Sequence, residues 1–92
     1  MLTLNSRIAL RDGLRSVDVD DATVITDRNA DHCYGVELIA RRIWQLIPRS
    51  GTVAEICEAL LMEYEVDREL CQREVLVFLN QCSLSGLIRI ID

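Results

Sequence analysis

The strongest constraint on this chain is a change of hydrophobic period at Glu37. Before it, apolar residues alternate with polar ones in short stretches, the two-residue repeat of a strand. After it they recur at the spacing of a helix that buries one face. Ser16-Val17-Asp18-Val19-Asp20 alternates, Thr23-Val24-Ile25-Thr26 is β-branched throughout, and the stretch from His32 to Val36 alternates again. Asp20-Asp21-Ala22 and Asp27 to Asp31 are polar and read as turns. These signals predict a three-stranded antiparallel meander over residues 14–36. His32, Tyr34 and Val36 share one face of its third strand, and Cys33 and Gly35 share the other.

Three helices are expected beyond it, near 37–47, 52–64 and 67–84. Val36, Ala40, Ile43, Trp44 and Ile47 form the first apolar stripe, which Pro48 stops. Thr52-Val53-Ala54-Glu55 is a capping box, followed by Val53, Ile56, Cys57, Leu60 and Tyr64 at helical spacing. Asp67 is placed to cap the third helix, Cys71, Val75, Phe78, Leu79 and Cys82 form its stripe, and Gly86 ends it. The link Glu65-Val66 between the second and third helices is short enough for a helix-turn-helix. Leu87 to Ile91 reads as either a docked tail or a short last strand.

With 92 residues the chain is read as one domain spanning 1–92, with an ordered core at about 14–90. Half of it is hydrophobic, and the formal charge is -5 from 10 basic and 15 acidic residues. That balance argues against nucleic acid as the partner, because phosphate contacts need basic surface. No apolar run is long enough to span a membrane, and the first ten residues lack a basic, then apolar, export pattern. The chain is read as cytoplasmic.

No catalytic or metal constellation emerges. Asp18, Asp20, Asp21 and Asp27 lack the Gly and Glu that a calcium loop needs at its sixth and twelfth positions, where Thr23 and Asn29 stand. His32 and Cys33 are neighbours on a strand and face opposite ways, so they do not share one metal ion. Cys33, Cys57, Cys71 and Cys82 show no C-x-x-C spacing, and all four are expected to be free thiols, three of them in the core. No cofactor is expected.

The order of these signals carries a resemblance. Tyr34-Gly35-Val36, Ala40-Arg41-Arg42-Ile43-Trp44-Gln45-Leu46-Ile47, Thr52-Val53-Ala54-Glu55-Ile56, Leu60, Tyr64-Glu65-Val66, Val75, Phe78-Leu79 and Gly86-Leu87-Ile88 follow one another as in the PqqD-like family. Its members act as precursor-peptide recognition elements in pathways to ribosomally made peptide natural products. The match runs over roughly residues 14–90. It departs at Gly35-Val36-Glu37-Leu38, where the family commonly has Leu-Asn before the first helix, and at Cys82, where Leu is usual. The resemblance implies an α+β winged helix-turn-helix: a three-stranded antiparallel meander followed by three α-helices. It also implies a non-catalytic, chaperone-like adaptor. The leader of a precursor peptide would add as a strand to the third strand and rest against the third helix. The module would then present the peptide to a maturation enzyme or leader peptidase.

Residues of this chain that suit such a site are His32, Cys33, Tyr34, Gly35 and Val36 on the edge strand, with Arg73, Leu76, Val77 and Asn80 on the third helix. The edge carries no Pro, Lys or carboxylate to guard it against pairing. Leu76 and Val77 stand beside the core stripe where a solvated helix would carry polar residues, and Arg73 could pair with an acidic leader residue. Two other classes compete. The apolar flank could instead serve a homodimer or enzyme-subunit contact. The helix-turn-helix could belong to a DNA-binding regulator, although Asp67, Glu69 and Glu74 accompany Arg68, Gln72 and Arg73 on its third helix.

Overall fold

The computed structural model of the chain describes residues 2–27 and 33–91. The element order is β1 (Ile8–Leu10), β2 (Leu14–Val19), β3 (Ala22–Asp27), β4 (Cys33–Glu37), α1 (Leu38–Leu46), α2 (Val53–Glu63), α3 (Arg68–Leu84) and β5 (Ile88–Ile90). A single 3-10 turn, Ile47–Arg49, holds Pro48 at the end of α1. This is the expected α+β architecture: a three-stranded antiparallel sheet in the order β2-β3-β4, followed by three helices. The expected turn at 28–31 and His32 lie outside the described residues.

The helix ends follow the chemistry of their capping residues. Thr52 accepts a hydrogen bond from the Glu55 amide at 3.2 Å, and Asp67 accepts one from the Leu70 amide at 3.0 Å. The Glu55 carboxylate reaches back one residue further than expected, to the Gly51 amide at 3.0 Å. Thr52 itself forms a β-bridge with Arg7. The next two amides of α2 are satisfied from the N-terminal segment, Val53 by the Ser6 carbonyl and Ala54 by the Leu4 carbonyl. Gly86, at φ +74, closes α3 with the Leu87 amide donating to the Cys82 carbonyl at 2.8 Å.

Two features go beyond the sequence-based expectation. Ile8–Leu10 forms a strand paired antiparallel with Ile88–Ile90, so the C-terminal apolar run is a strand and the N-terminal segment is part of the fold. Arg11 reinforces this closure by donating to the Gly86 carbonyl and pairing with Asp27. The second feature concerns β2. Its alternation is real, but none of its residues is buried: Val17 and Val19 stand half exposed, and Ser16, itself exposed, accepts a hydrogen bond from the Trp44 indole.

The core lies between the inner face of the sheet and the helices. Ile25 and Val36 meet Ile43, Trp44 and Ile47, and this cluster continues through Val53, Ile56, Leu60, Val75 and Leu79. Cys57, Cys71 and Cys82 are buried within it, whereas Cys33 is exposed. Among the described residues, no helix is long and apolar enough to cross a membrane.

Candidate peptide-binding site

β4 is an outer strand of the three-stranded sheet, and its register shows which backbone groups are available. The two-residue turn at Asp20-Asp21 joins β2 to β3 by pairing Val19 with Ala22. A hairpin of this length closes on a hydrogen-bonded pair, and bonded and non-bonded pairs then alternate along the ladder. Thr23 and Ile25 therefore turn their N–H and C=O groups toward β4, where their partners are Val36 and Tyr34. Cys33, Gly35 and Glu37 turn theirs to the open edge. Tyr34 and Val36 point their side chains into the protein, half-buried and buried, so the strand is anchored from one side and open along its edge.

Beyond β4 the chain turns sharply into α1. Glu37 occupies the N-cap position in an extended conformation without a side-chain cap. Leu38 follows at φ +56, a left-handed conformation that costs a non-glycine residue about 1–2 kcal/mol, and it is 83% exposed. An exposed leucine held in a strained conformation sits where an added strand would leave the edge.

Next to this corner is a shallow groove between α1 and α3, lined by Ile39, Ala40 and Ile43 on one side and Glu74, Val77, Phe78 and Gln81 on the other. It continues into an apolar hollow at the α2–α3 junction, which shares Ile39, Ile43 and Glu74 and adds Leu60, Tyr64, Val66 and Leu70. Val77 is 49% exposed and Ile39 is 43% exposed, so both offer apolar surface to a ligand.

The structure separates the residues expected on α3. Val77 lines the groove. Arg73, Leu76 and Asn80 do not line it, although Arg73 and Asn80 stand one turn to either side of Val77, and Leu76 is half-buried against the core. Arg73 is exposed and does not line the groove. On the strand, Cys33 and Gly35 present backbone to the open edge, and the backbone of Tyr34 and Val36 serves β3. The groove also takes in Ile39, Glu74 and Gln81, which the sequence reading did not place there, and Phe78, which it placed in the core stripe of α3. Ile39 carried a signal, being an apolar residue of α1 outside its core stripe.

The cations of α1 are already engaged. Arg41 donates to Thr23 at 3.0 Å and pairs with Asp18 at 3.1 Å, and the Thr23 hydroxyl also donates to Asp18 at 2.8 Å. The Thr23 hydroxyl first, and Arg41 with it, hold the Asp18 carboxyl below its ordinary range. Arg42 makes a two-pronged pair with Glu63, both contacts at 2.8 Å. Among the described residues the arrangement offers backbone hydrogen bonds and apolar contact, with no group of three or more His, Cys, Asp and Glu side chains gathered to hold a metal ion.

Comparison with known proteins identifies the fold and the family. The chain has the fold of two solved structures. One, described as TbiB1 in complex with the TbiA(beta) leader peptide, is 27% identical with a TM-score of 0.81, covering 88% of this chain and 94% of that one. The other, lasso peptide synthetase B1 complexed with the leader peptide, is 20% identical with a TM-score of 0.81, covering 90% and 98%. No curated protein matches the sequence significantly. The family model for coenzyme PQQ synthesis protein D matches residues 22–88, most of the chain, and this protein therefore belongs to the PqqD family.

Proposed function

We propose that this protein is a non-catalytic adaptor of the cytoplasm that binds the leader of a ribosomally made precursor peptide. It would hold the leader as a fourth strand on β4 and present the peptide to a modifying enzyme or leader peptidase. The observation that carries this reading is the open edge of β4 beside the apolar groove of α1 and α3. Strand addition needs both parts: the edge supplies backbone hydrogen bonds that any sequence can make, and the groove supplies selectivity. The TbiB1 relative, which shares the fold and 27% of its residues, was solved with a leader peptide bound.

The experiment is calorimetric titration with the leader of the precursor encoded beside this gene, using the wild-type chain and Val77→Glu. Val77 lines the groove and is half exposed, so a carboxylate there should leave the melting temperature near wild type. Binding should weaken by about tenfold or more, because a charge would be desolvated against the peptide's apolar side chain. Undiminished binding by Val77→Glu removes the groove from the mechanism. Absence of binding by the wild type rejects the adaptor reading, and light scattering then shows whether the same surface joins two copies of the chain.

A further inference from the structure

The groove is apolar along its floor, and its charged lining residue is a carboxylate. Glu74 lines both the groove and the adjoining hollow, is exposed, and has no ion-pair partner among the described residues. The nearest cations along α1 do not neutralise it, since Arg41 is held by Asp18 and Arg42 by Glu63. Arg73, its neighbour in sequence, stands one helical turn before Val77 but neither lines the groove nor pairs with Glu74. Glu37, exposed at the end of the open edge, adds a second carboxylate, and the whole chain carries a net charge of -5. A peptide lying against this surface meets negative potential from the rim and from the molecule behind it.

We propose that the groove selects peptides in which a Lys or Arg accompanies the apolar anchor, the basic side chain pairing with Glu74. This rests on the peptide-binding reading and specifies the class of peptide it takes. The geometry suits the pairing. Alternate residues of a strand face the same way about 6.6–6.8 Å apart. One helical turn, the spacing from Glu74 to Val77 and Phe78, is about 5.4 Å. For a strand running along α3, an apolar side chain on Ile39, Val77 and Phe78 would bring the next side chain on that face within reach of Glu74, and the long stem of Lys or Arg can lie on the remaining apolar floor.

The test is selection of short random peptides from a display library on the full chain, on Glu74→Lys and on Arg73→Glu, at low and at physiological salt. The wild type should enrich peptides that carry Lys or Arg next to a hydrophobic residue. Glu74→Lys should reduce that preference about fivefold at low salt, less as salt screens the pair, and admit Asp or Glu instead. Arg73→Glu should strengthen the preference slightly through the added negative potential and never reverse it, and thermal melts should show both variants folded. Enriched peptides without a charge bias, or with a bias that follows Arg73, overturn this inference and leave peptide recognition standing. Failure to enrich any peptide above an unrelated control domain overturns the peptide-binding reading and this inference together.

Discussion

The Trp44 indole nitrogen donates a hydrogen bond to the Ser16 hydroxyl at 3.1 Å, tying the buried face of α1 to β2. Trp44 as a whole is only 4% exposed, whereas Ser16 is exposed, so the bond sits at the edge of the core. Ser16→Ala is expected to lower stability by about 0.5–1.5 kcal/mol, the net contribution of one hydrogen bond. Each 1 kcal/mol corresponds to roughly 4–8 °C in melting temperature for a domain of this size. Trp44 is the sole tryptophan, so its fluorescence in a urea titration reports both the transition and the local environment. An unchanged midpoint would mean that water satisfies the indole in the variant.

Leu38 gives a prediction of opposite sign for stability and binding. At φ +56 the residue is strained, and at 83% exposure it returns almost no burial energy. Leu38→Gly removes the strain, partly offset by the greater freedom of glycine in the unfolded chain, for a net gain of about 0.5–1 kcal/mol. If the strain serves to hold an apolar side chain beside the groove, the same variant binds the leader more weakly. Melts and titrations on one preparation decide it. A variant that is more stable and binds equally well would show that Leu38 plays no part in recognition.

The cysteines make stability depend on alkaline pH. Burial pushes the thiols of Cys57 and Cys82 up to about 11, and it raises Cys71 as well. In the unfolded chain these thiols ionise near the ordinary value of 9.0. Between pH 9 and about 11 the unfolded state therefore binds fewer protons than the folded one. The thiols' contribution to stability is complete below that window and is lost as pH rises through it. Denaturant midpoints should fall across this range, and replacing Cys82 with Ser should flatten part of the fall. A thiol reagent at neutral pH should modify Cys33 quickly and the buried three only after unfolding.

The strongest local signals proved the most legible. The capping residues Thr52 and Asp67, the stop at Pro48 and the glycine at 86 each act through a few neighbouring atoms, so the sequence announces them. The strand Ile8–Leu10 was not legible because its partner, Ile88–Ile90, stands at the other end of the chain, and a three-residue strand has no period of its own. Alternation in β2 identified which residues share a face but not which face turns inward. That is decided by how the sheet packs, with Ser16 paired to the buried Ile25 and Val17 and Val19 left outside. The same limit applied to α3. Of its expected stripe, Cys71, Val75, Leu79 and Cys82 are buried and Phe78 is only partly so, lining the groove, because which flank faces α1 is decided by tertiary packing. That packing puts Glu74 and Val77 in the groove and leaves Arg73 and Leu76 out of it.

The register of β4 makes the strand-addition mechanism testable at a single backbone atom. Gly35 pairs with Val24 at a position whose N–H points to the open edge, whereas Tyr34 opposite Ile25 bonds inward to β3. A Cβ at Gly35 would meet nothing within 4 Å, so the site has room for a larger residue. Proline is tolerated on an edge strand where the missing N–H would have faced solvent. Gly35→Pro should therefore fold with a small loss of stability, yet weaken leader binding. The lost bond removes about 0.5–1.5 kcal/mol and the ring obstructs the incoming strand, together costing roughly tenfold or more in affinity. Tyr34→Pro should instead break a bond within the sheet and lower the melting temperature. If Gly35→Pro binds the leader as tightly as the wild type, the peptide does not add to this edge, and the groove acts without it.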